Sequence, residues 1–186
     1  MVMSYGIGMS DQLSANDWVE AGLKALASRG FTALKAEPLA KALRVSRGSF
    51  YWHFTDIAAF QAAVLARWHE VAAEQIIASV EAASKDEDPL ALLLRRVFGE
   101  RLTLERAVRT WASVDAAART AVQAIDRRRL TYVEGLLAQS GLPAEQARAR
   151  AQILYWAFLG FALSDQPLAK ARQQAALDEL LRIAAA

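Results

Sequence analysis

Nine consecutive residues, Ser46-Arg47-Gly48-Ser49-Phe50-Tyr51-Trp52-His53-Phe54, carry more hydrogen-bonding side chains than a core helix tolerates. An arginine can pair in bidentate fashion with guanine O6 and N7, which suits Arg47 to base-edge readout. Gly48 permits close approach to a groove, and Ser49 stands beside it at the same helical end. Tyr51 and His53 suit phosphate oxygens, contacts that give affinity and placement with little sequence information. Trp52 has two readings, a groove-wall or sugar contact and a packed aromatic. Charge points the same way. Between Lys24 and His53 lie six basic residues and a single acidic one, Glu37, a segregation that suits a polyanion.

These side chains need short helices to hold them. Ser14 and Asn16 are candidate caps for a first helix to about Ser28, with Trp18, Val19, Gly22, Leu23 and Leu26 as its buried stripe. Gly30 ends it. Phe31 and Leu34 are expected to plug a small core beneath a second helix, residues 37–43, in which Pro38 occupies the first turn, where proline is tolerated. Ser46 is expected to cap the third helix with its hydroxyl, and Phe50 and Phe54, four apart, should face the core. A short helix, a tight turn and a polar second helix form a helix-turn-helix, whose second helix enters the major groove in DNA readers.

Residues 14–65 resemble the DNA-binding domain of the TetR family of bacterial repressors, most closely over Gly48-Ser49-Phe50-Tyr51-Trp52-His53-Phe54, with Thr55-Asp56 opening the next helix. Three positions depart from the family pattern. Arg44 stands where a turn glycine is usual, Lys35 replaces a hydroxyl residue, and Ile57 replaces a lysine that usually touches phosphate. Lys35 and Arg44 are expected to compensate as phosphate contacts. The expected DNA-binding set is therefore Lys35, Arg44, Ser46, Arg47, Gly48, Ser49, Tyr51, Trp52 and His53.

The remaining sequence divides into helices at about 56–83, 89–101, 104–111, 116–139, 144–163 and 168–183, with Ser140-Gly141-Leu142-Pro143 the firmest break. The resulting expectation is an all-α chain of about nine helices, as the resemblance implies: a tail at 1–10, a helix-turn-helix head at 11–57 and a helical body at 58–186. The resemblance also implies that the body dimerises and binds a small effector. Trp68, Phe98, Trp111, Tyr132, Tyr155 and Trp156 are the aromatics available to line a pocket, with His69, Arg95 and Asp115 as polar candidates; ordinary core packing is the competing reading. The helix at 144–163 is apolar around much of its circumference, so it must be buried on more than one side. Ala147, Ala151, Leu154, Phe158 and Phe161, with Leu177, Leu180 and Leu181 of the last helix, are the expected dimer surface; a central core helix is the alternative.

Hydrophobic residues make up 54% of the 186 and charged ones 23%, enough for a sizeable core. There is no cysteine, which excludes disulfides, thiolate metal sites and cysteine nucleophiles. The longest apolar run, Ile153 to Leu163, is far short of the roughly 20 residues that cross a bilayer. His69-Glu70-Val71-Ala72-Ala73 begins like a zinc-protease helix, but alanine occupies the second ligand position. No enzyme, metal or cofactor is expected. The expected protein is a dimeric, effector-released repressor in the cytoplasm, at the nucleoid, with double-stranded operator DNA, an unidentified small molecule and a second copy of itself as partners, and no membrane. The rivals are a ligand-binding helical dimer whose head no longer reads DNA and a sequence-tolerant DNA coater.

Overall fold

The computed structural model describes residues 13–83, 87–99, 102–165 and 168–185; the expected tail at 1–10 lies outside them. The described residues are all-helical, without strands, and form nine helices joined by short turns. The first, α1 (Ala15–Arg29), opens on a capping box in which Ser14 and Asp17 satisfy each other's backbone N–H groups. It closes at Gly30, whose φ of 77° lets its N–H turn back to Leu26. A single 3-10 turn, Phe31–Ala33, leads to α2 (Ala36–Leu43) and α3 (Arg47–Tyr51).

Phe50 is the hub of this head. Its ring lies 5.3 Å from each of Trp18, Phe54 and Phe60, and Phe54 and Phe60 are 5.1 Å apart. Aromatic pairs of this kind contribute about 0.5–1.5 kcal/mol each beyond the area they bury. Gly22 lets α1 cross closely over the following helix, because a Cβ there would sit 2.7 Å from Phe60 Cζ and 2.8 Å from Val64 Cγ2. Phe31 does not plug the head core as its sequence position suggests. It is only partly buried and stacks on Trp111 at 6.2 Å, bridging head and body.

The fourth helix, α4, spans residues 57–81 and passes from head to body. It is α-helical over Ile57–His69, π-helical over Glu70–Glu74 and α-helical again over Gln75–Glu81. Asp56 caps it by accepting the Ala59 N–H at 2.7 Å. The body then adds α5 (Pro89–Gly99), α6 (Thr103–Ala112), α7 (Ala116–Gln139), α8 (Ala144–Leu163) and α9 (Lys170–Ala185). Asp115, expected near a pocket, instead caps α7 through the Ala118 N–H. Packing does not break at 57: one continuous core runs from Trp18 and Phe50 through Trp68 to Val108, Trp111 and Ile125.

Candidate functional site

Two sites emerge, one on the head surface and one inside the body. On the head, α2 and α3 form the helix-turn-helix, and the turn between them is held by Arg44 in the left-handed region at φ 59° and ψ 38°. The Val45 N–H reaches Ala40 O and the Arg44 N–H reaches Lys41 O, a helix-ending pattern that usually takes glycine. Holding an arginine there costs roughly 1 kcal/mol. The charged side chain is thereby exposed at one end of α2, and Lys35 is exposed at the other.

With Phe50 fully buried, the opposite face of α3 points outward. Arg47, Gly48, Tyr51 and Trp52, at helical positions i, i+1, i+4 and i+5, share that face and are all exposed. Trp52 is 83% exposed, which decides between its two readings: it is not a packed aromatic in the free chain. Arg47 Nη2 donates to the Tyr51 hydroxyl at 3.2 Å with its guanidinium over the ring, and this hydroxyl raises the arginine's pKa. Ser49 and His53 are partly buried. The Ser46 hydroxyl makes no capping bond. The Ser49 N–H bonds the Ser46 carbonyl instead, leaving the exposed hydroxyl unused by the helix. Ile57, where lysine was expected from the family pattern, is 38% exposed.

Inside the body, α4, α5, α6, α7 and α8 line a half-open cavity of about 330 Å³. Four of the aromatics singled out above line it: Trp68, Phe98, Tyr132 and Tyr155. The others do not. Trp111 is buried in the head–body stack, Trp156 projects into solvent, His69 is partly buried off the wall, and Arg95 is exposed. Aliphatic side chains such as Ile76, Leu93 and Leu104 complete an apolar lining.

Beside this lining lies a paired ionic cluster that the sequence reading missed. Glu105, only 3% exposed, accepts from Arg109 Nε at 2.8 Å and from both Arg129 Nη atoms at 2.9 Å. Arg109 also grips Asp126 with bonds of 2.6 and 3.2 Å, and the Tyr155 hydroxyl donates to Asp126 Oδ1 at 2.5 Å. Burial works against the charged Arg129 and Arg109, but their carboxylate partners more than offset it and hold both above the usual range. Burial, with the Asp126 hydrogen bond adding, pushes the Tyr155 hydroxyl up to about 12. Arg129 Nη2 also donates to Ala72 O at 2.9 Å, inside the π-helical stretch of α4. The i,i+4 spacing of Glu105 and Arg109 was visible in the sequence; the partners 17 and 24 residues on were not.

The expected dimer residues take a different place. Ala147, Ala151, Leu154 and Phe158 of α8, and Leu177 of α9, are buried within the single chain, and Phe161, Leu180 and Leu181 are partly so. The outward stripe of α8 is instead Ala149, Ile153, Trp156, Gly160 and Leu163. Its steps of four and three residues describe one helical face. A helix apolar all round has two such faces, and periodicity alone does not say which one its own subunit takes.

The family model for bacterial regulatory proteins, tetR family, matches residues 19–64. No curated protein matches in sequence. Among solved structures, AibR in complex with isovaleryl coenzyme A and operator DNA is 13% identical with a TM-score of 0.67, covering 91% of this chain and 96% of that one. A TetR-family transcriptional regulator from Rhodococcus sp. is 16% identical at 0.69, covering 92% and 98%. Reduced NemR of E. coli is 19% identical at 0.68, covering 91% and 96%. At these identities the likeness establishes the fold, while the family model covers the head and its junction with α4. The head thus matches the tetR family of bacterial regulatory proteins over residues 19–64, and the described chain shares its all-helical fold with these solved structures.

Proposed function

We propose that the protein is a homodimeric, sequence-specific transcriptional repressor released from its operator by a small molecule held in the body cavity. The observation that carries this reading is α4. Phe60 and Val64 anchor it in the head core, while eight residues on from Phe60 the same helix supplies Trp68, followed by Val71, Ala72 and Ala73, to the cavity wall. A ligand that displaces this wall therefore moves a helix the head is packed on. To act as a switch it must bind the non-DNA-binding arrangement more tightly; equal affinity for both would change nothing.

The exposed face of α3 is the proposed reading surface, with Arg47 on base edges, Tyr51 and Trp52 at the groove wall, and Lys35, Arg44, Ser46, Gly48, Ser49 and His53 supporting the docking. The outward stripe of α8 is the proposed two-fold contact, which would set two heads about one helical turn of DNA apart. The capture of AibR with both operator DNA and isovaleryl coenzyme A supports a fold able to serve both partners. The protein would act in the cytoplasm, where its operator lies.

Selection from a pool of random duplexes, followed by fluorescence anisotropy, tests the reading. The expected product is a two-fold-related motif bound about 10³-fold or more tighter than scrambled DNA. Arg47→Ala should then lose about 1–3 kcal/mol, concentrated at one base position of each half-site. Failure to enrich any motif would refute the proposal, and an Arg47→Ala protein with unchanged specificity would remove Arg47 from the reading surface.

A further inference from the structure

The ionic and polar groups around the body cavity restrict what can occupy it. Among the described residues, every buried charge at its edge is matched: the carboxylates of Glu105 and Asp126 face the guanidiniums of Arg109 and Arg129. Two negative and two positive groups cancel, so the cluster offers no unspent charge to an ionic guest. Arg96 also borders the cavity, but it is an exposed residue, and an ion pair at a solvent-exposed guanidinium is worth only about 0–1 kcal/mol. An ion entering this space would lose its own hydration without a counter-charge, a penalty of several kcal/mol.

Hydrogen-bonding capacity, in contrast, is left over. Trp68 is fully buried and its Nε1 has no acceptor. The hydroxyl of Tyr132 is also shielded from solvent and makes no hydrogen bond. Both side chains belong to the cavity wall, and burial pushes the Tyr132 hydroxyl's pKa up. Unmet buried groups of this kind each cost about 1–3 kcal/mol, which a guest with the matching group would recover. An indole N–H only donates, so the matching group must accept. At about 30 Å³ per water-sized group, the space holds roughly a dozen non-hydrogen atoms.

We infer that the cavity selects an uncharged, mainly apolar molecule of about that size carrying one hydrogen-bond acceptor, such as a ketone, ester or ether oxygen. This rests on the reading of the cavity as a ligand site and narrows the chemistry of its guest. Neutrality follows from the internally paired ions, and the acceptor from Trp68 Nε1 and the Tyr132 hydroxyl.

Isothermal titration calorimetry of the full chain with three probes of matched size tests it: 4-phenylbutan-2-one, n-butylbenzene and 3-phenylpropanoate. The ketone should bind most tightly and the carboxylate at least about 100-fold more weakly, the scale of leaving one buried charge unpaired. Of the separate variants Trp68→Phe and Tyr132→Phe, at least one should weaken the ketone about 2- to 12-fold, the value of one net hydrogen bond. The same variant should leave n-butylbenzene unaffected or bound more tightly, which separates a lost hydrogen bond from a damaged cavity. A carboxylate that binds as well as the ketone, or ketone binding that neither variant weakens, overturns the inference while leaving the cavity a ligand site. No heat from any probe overturns both. If the ketone binds as expected but operator affinity does not change on its addition, the ligand class stands and the effector role falls.

Discussion

Head and body use the same aromatic residue types to opposite ends. In the head, Phe50 touches the rings of Trp18, Phe54 and Phe60, so rings fill space and charge is left outside. In the body, Trp68, Phe98, Tyr132 and Tyr155 surround a space, and charge is brought inside, carboxylate against guanidinium. On the proposed function, the head would meet its partner on its surface and respond to salt, whereas the body would admit one to its interior and respond to shape and polarity. Stability should be distributed accordingly, through contact among rings in one region and through charge matching in the other.

The largest effect should come from breaking the charge matching. Glu105→Ala strands the Arg129 guanidinium, which keeps only the Ala72 carbonyl, and leaves Arg109 on Asp126 alone in a poorly solvated site. A loss of about 3–5 kcal/mol in denaturant-induced unfolding is expected; a loss under 1 kcal/mol would mean that water reaches the cluster and that the contrast with the head is overstated. Gly22→Ala probes the tightness of the head. Its Cβ would collide with Phe60 and Val64, so about 1–3 kcal/mol should be lost to overpacking. Urea unfolding checks this, and an unchanged midpoint would show slack in the α1–α4 crossing. The smallest effect, and the only favourable one, belongs to Arg44→Gly. Relief of the left-handed backbone should raise stability by about 1 kcal/mol. Operator affinity should fall equally on every sequence, as expected for a lost phosphate contact; a fall confined to one base position would make Arg44 a reader.

The same division governs how much could be read from the chain beforehand. The head depends on short-range rules, in which four-residue spacings, a stop glycine and a polar short helix fix α1 to α3 within a residue or two. Where it departed from expectation, the cause was competition: the Ser49 N–H took the backbone carbonyl of Ser46 rather than its hydroxyl, and Phe31 found Trp111 instead of Leu34's neighbours. In the body, helix positions were equally legible but partners were not. Trp68, Trp111 and Trp156 are one residue type, all on helices, yet one lines the cavity, one stacks against the head and one faces solvent. Periodicity gives each a face; only contacts such as Arg128 to Glu74, 54 residues apart, decide what that face meets.

The π-helical stretch of α4 has a consequence for phase. Along one line down the helix, buried positions fall at Phe60, Val64 and Trp68, then at Ala73 and Ile77, with Leu65 and Val80 buried beside it. Four-residue steps flank a single five-residue step, which coincides with Glu70–Glu74. An α-helix turns about 100° per residue, so the wider turn absorbs one residue that would otherwise swing everything beyond it out of alignment. The helix thus behaves as a keyed shaft, with one set of teeth cut for the head and another, offset by a residue, for the body. Drawing that stretch into regular α-helix with every residue kept would turn the two ends against each other by about a quarter of a revolution, whereas removing one residue from it would leave a four-residue step and the two ends in phase.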